Sequence, residues 1–293
     1  MRKLLLQLDS SPLPSVFDRV VAYDGGADDL LSYGGVTDGA VRDLVHGAIF
    51  TRGPKELHNT AIFIGGAEMA AGERLLAAVR ESFFGPLRVS VMLDSNGSNT
   101  TAVAAVMKLL EAAGGDVRGR RAVVVAGTGP VGTRAAGLLA QMGADVVITS
   151  RKPAQDEQQL LAAIRERFGG AVTAVQMKDD SQASGVLQGA ELLINAGPAG
   201  VQLVPRAAWA GRPGLRVAID LNAVPPLGVE GIEVGDDVRT VDGVKVIGAL
   251  GVGNLKMKIH RACIARLFER NDLVLDAETI TEVAREIAGA EKG

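Results

Sequence analysis

The sequence predicts an α/β fold of two domains, the second built on a doubly wound parallel sheet. Three observations predict it. Short runs rich in Val and Ile alternate with longer segments of helical period, Gly, Asp or Asn marks each change, and a glycine motif directly follows an apolar strand. A chain of 293 residues also exceeds the length at which one hydrophobic core usually divides into two.

The first domain is assigned to residues 1–114. The predicted strands lie at residues 3–8, 60–64 and 88–93, and the predicted helices at residues 16–22, 38–48, 69–84 and 99–113. The small, polar stretch at residues 113–119 carries three glycines and predicts the boundary between the domains.

The second domain is assigned to residues 115–272. The predicted strands lie at residues 121–126, 145–149, 172–176, 191–195 and 216–220, and a helix is predicted at 133–142. Two closing helices follow at residues 254–269 and 276–287, and the C-terminal segment 273–293 is expected to pack back on the first domain.

Composition excludes several classes of protein. The chain carries 31 basic and 34 acidic residues, so neither a nucleic acid nor an anionic membrane is an expected partner. No stretch reaches 18 uninterrupted apolar residues, which predicts no membrane-spanning helix. Cys263 is the sole cysteine and no zinc-ligand spacing occurs, so a reducing, cytoplasmic location and no metal are expected.

The motif at residues 127–132 predicts a Rossmann-type dinucleotide site. It follows an apolar strand and opens a helix, which is the context that this fingerprint requires. Gly127 permits the tight turn, Gly129 lets the backbone approach a pyrophosphate, and Gly132 lets helix and strand pack closely. The cofactor-binding residues predicted here are Gly127, Thr128, Gly129, Pro130, Val131 and Gly132.

The end of the following strand predicts NADP. NAD enzymes usually place an acidic residue there, whereas this chain has Ser150, Arg151 and Lys152, which suit a 2′-phosphate. A solvated basic pair at the start of a helix is the alternative. Ala196, which follows the strand at residues 191–195, is also assigned to cofactor binding.

Two further regions predict a ligand site. The polar run at residues 94–101 follows a predicted strand and contains Asp94, Asn96 and Ser98, which indicates either a substrate site or a capped helix. On the predicted helix at 254–269, Lys256 and His260 fall between two apolar stripes. There they would line a cleft or, for the lysine, extend along apolar surface to solvent.

These residues together resemble the NADP-dependent methylene-tetrahydromethanopterin dehydrogenases of methylotrophic bacteria, over essentially the whole length. The segments that carry the resemblance are residues 15–18, 23–28, 92–101, 127–132, 222 with 225–228, and 248–264.

The resemblance implies hydride transfer from the methylene carbon of the pterin to NADP⁺, without a metal. It implies that Phe17 packs beside the pterin, that Thr101 lies near the reacting carbon, and that Lys256 and His260 face the bound ligands. It also implies substrate binding by Asp18, Asp94, Asn96 and Ser98, use of methylene-tetrahydrofolate, reversibility, and a homo-oligomer with a trimer as the expected state.

Two alternatives stay open at this point. One is another two-domain NADP dehydrogenase of the methylene-tetrahydrofolate or shikimate type, although the segment at residues 53–60 does not fit the Asn-x-Thr-x-Pro-x-Lys pattern of a shikimate enzyme. The other is an NADP-sensing protein that kept the fold without catalysis.

Overall fold

The computed structural model describes residues 1–290, which form two compact units. The first unit contains residues 1–100 and 257–290, and the second contains residues 101–256. Each unit is built on a largely parallel sheet with helices between its strands, which confirms the predicted α/β class.

The secondary-structure elements are numbered in chain order. The strands are β1 (Leu4–Asp9), β2 (Asp29–Tyr33), β3 (Thr60–Gly65), β4 (Ser90–Leu93), β5 (Arg121–Val125), β6 (Asp145–Ser150), β7 (Val172–Gln176), β8 (Leu192–Asn195), β9 (Val217–Asp220), β10 (Asp237–Val241), β11 (Val244–Ile247) and β12 (Val274–Leu275). The helices are α1 (Val16–Asp24), α2 (Asp38–Ile49), α3 (Met69–Glu81), α4 (Ser98–Ala112), α5 (Pro130–Gln141), α6 (Gln158–Phe168), α7 (Ala183–Val186), α8 (Arg206–Trp209), α9 (Ala249–Arg266) and α10 (Ala277–Ala290).

The sheet of the first unit has the strand order β12-β4-β3-β1-β2, and every neighbouring pair is parallel. The central strand β3 is buried at all of its positions, because helices cover both faces of a parallel sheet. Its apolar side chains join those of α2 and α3 in one core that includes Val41, Val45, Leu75 and Val79. The carboxyl ends of β1, β3 and β4 therefore lie at one edge of the sheet.

The sheet of the second unit has the order β10-β11-β9-β8-β5-β6-β7 and is parallel except for the pair β10 and β11. The strand order reverses direction beside β5, where the connections turn to β6 on one side and to β8 on the other. Ligands of doubly wound sheets bind at such a switch point.

The division between the units differs from the predicted boundaries after residues 114 and 272. It falls inside α4, between Thr100 and Thr101, and inside α9, between Lys256 and Met257. The glycine-rich stretch at residues 113–119 only ends α4 and begins the approach to β5. Both helices are long and continuous, so the change of unit leaves no composition signal in the sequence.

Four strands were not predicted by sequence analysis. The short strand β2 lies at an edge of its sheet, β12 has two residues, and β10 and β11 form an antiparallel hairpin. Asp242 and Gly243 form its turn with φ of 48° and 81°. An Asp-Gly pair is a hairpin signal that could have predicted this element. The predicted C-terminal segment corresponds to β12, which pairs with β4, and α10, while residues 291–293 lie outside the described part.

Candidate functional site

The glycine loop between β5 and α5 has three glycines with three different surroundings. A Cβ at Gly127 would lie 2.5 Å from Cβ of Ile148, and a Cβ at Gly132 would lie 2.7 Å from Cα of Gly127. A Cβ at Gly129 would meet only the carbonyl oxygen of Ala126, at 3.7 Å. Gly127 and Gly132 are thus required by packing inside the protein, whereas Gly129 borders open space.

Helix α5 begins at this open side. Pro130 occupies its first turn, and no side chain caps the helix at Gly129. The amide groups of a first helical turn have no partner within the helix and carry partial positive charge. The 12-residue helix therefore presents an N-terminus suited to a phosphate group.

A cavity of about 760 Å³ adjoins this N-terminus. Of the predicted cofactor-binding residues, those that line it are Thr128, Gly129, Pro130, Ser150, Arg151 and Ala196. Gly127, Val131, Gly132 and Lys152 are not among its lining residues within the described chain. The volume is in the range of natural ligand pockets, and the mixture of apolar and polar lining is typical of them.

The cavity is bordered at the end of β6 by a hydrogen-bonded turn. The Ser150 hydroxyl donates to Oε1 of Glu157 at 2.6 Å and accepts from the Lys152 amide at 3.0 Å. Gln176 at the end of β7 donates its side-chain amide to the Arg151 carbonyl. The backbone that carries Arg151 is thereby held from two sides.

A second cation beside the cavity escaped sequence analysis. Lys178 follows β7 and lines the cavity together with Arg151, as do the carboxylates Asp179 and Asp180. The parallel register of β6 and β7 brings the residues after both strands to one edge. That juxtaposition depends on strand order, which the sequence alone did not provide.

A buried polar network holds the loops after β8 and β9. Asn195 donates to Oδ1 of Asp220 at 2.8 Å, and the Val229 amide donates to Oδ2 of the same carboxylate at 2.9 Å. Gly228 permits this arrangement, because a Cβ there would lie 1.8 Å from Nδ2 of Asn195. The network fixes the segment after Ala196 that forms another wall of the cavity. Sequence analysis did not predict this network, although the polar residues Asn195 and Asp220 at the ends of two predicted strands could have indicated it.

In the first unit, Asp94 closes the N-terminus of α4. Its Oδ1 accepts from the amides of Asn99 and Thr100 at 2.9 and 3.0 Å, and its Oδ2 accepts from the Thr100 hydroxyl at 2.6 Å. Asp94 is fully buried, so the helix-capping interpretation of residues 94–101 describes its contacts.

The other predicted residues of this loop differ in exposure. Asn96 is exposed and has a left-handed φ of 53°, which an Asn tolerates better than most residues. Ser98 is fully buried, and its hydroxyl has no hydrogen-bond partner among the described residues. Only Asn96 offers its side chain to solvent here.

The carboxyl ends of β1 and β3 also lie beside the start of α1. The Ser15 hydroxyl caps α1 by accepting from the Asp18 amide, and Phe17 in the same turn is 52% exposed. Asp9 is buried and accepts from the amides of Ser11 and Ser15, which holds the loop that leads into α1. Sequence analysis missed this role of Asp9.

His260 lies in the interior of the first unit. It is fully buried, its ring stacks on Phe63 at 5.5 Å between centroids, and its Nδ1 is 4.0 Å from Oδ2 of Asp94. Burial, with a contribution from the Asp94 charge, raises the pKa of the nearby Cys263 thiol. The resemblance implied direct contact between His260 and a ligand. The burial of the ring favours a role behind the ligand instead.

Thr101 and Lys256 belong to the second unit and are both partly buried, Thr101 on α4 and Lys256 on α9. Within the described residues, no group of three or more His, Cys, Asp or Glu side chains is arranged to hold a metal ion. The same residues contain no helix that is long and apolar enough to cross a membrane.

Comparisons with known proteins match both parts of the chain. Residues 16–96 match a family model described as methylene-tetrahydromethanopterin dehydrogenase, N-terminal, and residues 116–201 match one described as putative NAD(P)-binding. A Methylorubrum extorquens protein named "Bifunctional protein MdtA" is 51% identical over 288 residues, which cover 98% of this chain and 99% of that protein.

A second protein of that organism is named NAD(P)-dependent methylenetetrahydromethanopterin dehydrogenase. It is 33% identical over 295 residues, covering 98% of this chain and 99% of the relative. Among solved structures, shikimate 5-dehydrogenase from Listeria monocytogenes, in complex with shikimate and NAD, aligns with a TM-score of 0.58. That alignment covers 96% of each chain at 16% identity, so it supports a shared fold only.

Proposed function

Because the chain belongs to the methylene-tetrahydromethanopterin dehydrogenase family, we propose that it transfers a hydride from methylene-tetrahydromethanopterin to NADP⁺. The observation that carries the proposal is the identity of 51% and 33% to two relatives over 98% of the chain. The cavity beside the glycine loop supports the cofactor half of the proposal.

The reaction requires little acid–base catalysis by the protein. Loss of a hydride from a carbon between two nitrogens leaves a methenyl cation whose charge both nitrogens share, so no proton must leave with it. A bound nicotinamide supplies the hydride acceptor. The chain contributes orientation and electrostatics.

The residues beside the cavity fit NADP. Gly129 leaves the N-terminus of α5 open to a pyrophosphate, and the Asn195–Asp220 network holds the wall that begins at Ala196. Arg151 and Lys178 would bind a 2′-phosphate, with Lys152 as a more distant cation. These contacts support a preference for NADP over NAD.

The pterin would bind at residues of the polar loops. Phe17 offers an exposed ring, and Asp18 and Asn96 offer polar groups at neighbouring strand ends. Asp94, Ser98 and His260 are buried, so they would act as positioning residues behind the ligand. Thr101 and Lys256 are proposed to lie near the reacting carbon, as the resemblance implies.

Lys256→Ala tests that assignment. We expect turnover to fall roughly a hundredfold while the dissociation constant of NADPH changes less than about threefold. Lys258→Ala, an exposed lysine of the same helix, is the matched control. Equal turnover of the Lys256 variant and the wild type would remove this residue from the site.

A four-way assay tests the reaction itself. Purified protein receives methylene-tetrahydromethanopterin or methylene-tetrahydrofolate with NADP⁺ or NAD⁺, and reduced nicotinamide is followed at its absorbance maximum. We expect the methanopterin substrate with NADP⁺ to be fastest, tetrahydrofolate to react more slowly, and the reverse reaction to run from the methenyl product. Tight NADPH binding without turnover of either pterin would favour a sensor instead.

The protein is also proposed to act in the cytoplasm as a homo-oligomer, a trimer by resemblance. Val16, Val20 and Tyr23 form an exposed apolar stripe on α1, a surface that monomers usually avoid. Light scattering should give three times the 30.3 kDa mass of one chain. A mass of one chain at micromolar concentration would contradict assembly.

A further inference from the structure

The carboxylate of Glu157 stands directly behind the end of β6. Glu157 is 8% exposed and Ser150 is 5% exposed, and the 2.6 Å hydrogen bond between them is buried. Glu157 ends a short 3₁₀ turn and precedes α6, yet its side chain makes no cap to that helix. Its carboxylate is turned toward Ser150 instead.

This pairing fixes what Ser150 can offer to a ligand. A serine hydroxyl has one proton and two acceptor sites. The proton goes to Glu157 and one acceptor site takes the Lys152 amide, so one acceptor site is left. Ser150 borders the cavity, and toward it the hydroxyl can accept a hydrogen bond and cannot donate one.

In Rossmann folds the residue at the end of this strand meets the ribose 2′ position, and the two nicotinamide cofactors differ there. The 2′-hydroxyl of NAD can donate to an acceptor, whereas the 2′-phosphate of NADP carries only acceptor oxygens at neutral pH. Ser150 can only accept a hydrogen bond on the cavity side, and the Glu157 carboxylate lies behind it. Both features therefore favour the 2′-hydroxyl of NAD and disfavour the 2′-phosphate of NADP. Arg151 and Lys178 act in the opposite direction, and Asp179 and Asp180 offset part of their charge.

We propose that Glu157, acting through Ser150, is the positioning residue that keeps NAD usable and limits the preference for NADP. The inference rests on the proposed function only for the identity of the cofactor. Removing the Glu157 charge frees the Ser150 proton to point into the cavity, and it lowers the negative charge behind a 2′-phosphate.

The test is the affinity of purified protein for NADPH and NADH, measured by nicotinamide fluorescence without a pterin. Glu157→Gln keeps the size of the side chain, and its amide N–H can donate to the Ser150 oxygen, which leaves the serine proton free for the cavity. We expect it to raise the ratio of NADPH to NADH affinity by roughly three- to tenfold, through tighter NADPH binding. Ser150→Ala should weaken NADH binding more than NADPH binding.

Asp156→Asn is the matched control, because Asp156 is the exposed neighbour of Glu157. It removes the same charge from the same turn without a bond to Ser150, and it should leave the ratio within about twofold. Arg151→Gln should weaken NADPH binding and lower the ratio. An unchanged ratio in Glu157→Gln, or weaker NADPH binding, would overturn the proposal, since the latter would mean that Glu157 serves to orient Arg151.

The outcome separates this inference from the proposed reaction. A shifted ratio in a protein that turns over neither pterin would sustain the role of Glu157 and refute the reaction. A protein that binds neither reduced cofactor would refute both.

Discussion

Two junctions of the molecule share the order strand, loop, helix. They differ in whether a side chain of the protein caps the N-terminus of the helix. The junction of β4 and α4 in the first unit is closed, because the buried carboxylate of Asp94 accepts from the first amides of the helix. The junction of β5 and α5 in the second unit is open, because Gly129 supplies no side chain and the helix adjoins a cavity.

The difference shows that one local architecture can leave a helix N-terminus available to an anion or occupied by a side chain of the chain itself. An open helix N-terminus can bind an anion from outside the protein, which suits a dinucleotide. Where the chain itself supplies the anion, the helix charge is already compensated. Under the proposed function, a pterin ring near α4 would be recognised by exposed side chains such as Asn96 and Phe17 instead.

The largest expected effect comes from opening the closed junction. Asp94→Ala would remove the acceptor of two helix amides and leave the Thr100 hydroxyl only the Gly97 carbonyl, at 3.4 Å. We expect the free energy of unfolding to fall by about 3 kcal/mol, measured by urea denaturation. Asp94→Asn keeps one oxygen for the amides and should lose about half as much.

Asp116→Ala is the control for that measurement. Asp116 also bonds to Arg118, but the pair is exposed and screened by solvent, so we expect no resolvable change in the free energy of unfolding. Stability of Asp94→Ala equal to that of the control would mean that this carboxylate does not close α4.

The second prediction closes the open junction. At Gly129, φ is −74° and ψ is 167°, a conformation that any residue adopts, and a Cβ there meets only one atom at 3.7 Å. Gly129→Val should therefore keep the stability within about 1 kcal/mol. It should weaken NADPH binding by roughly ten- to a hundredfold, measured by fluorescence titration, because the new side chain occupies the open space beside the N-terminus of α5.

Gly132→Ala gives the contrasting result. Its new Cβ would lie 2.7 Å from Cα of Gly127, so the expected loss is about 1–3 kcal/mol of stability. Normal NADPH affinity in Gly129→Val would show that the cofactor does not approach α5 at this point.

The two junctions also show what sequence patterns can and cannot predict. The glycine loop was recognisable because its spacing between strand and helix is itself the requirement for phosphate binding. For residues 94–101 the sequence left a cap and a ligand site as equal alternatives, since the same residue types serve both. Lys178 and Glu157 were missed because their positions beside Arg151 and Ser150 depend on strand order and on a 3₁₀ turn.

The smallest expected effect is the pH dependence of stability caused by the buried Cys263 thiol, which lies near Asp94. Burial, and then the charge of Asp94, raises the pKa of Cys263 above that of an unfolded thiol. For an acid with a raised pKa in the folded state, the stability contribution is present below the unfolded pKa of about 8.5 and is lost as the pH rises above it. Between pH 8.5 and 9.5 the wild type should lose about 1 kcal/mol more than Cys263→Ala, measured by urea denaturation. Parallel curves for the two proteins would mean that water reaches the thiol and that burial does not raise its pKa.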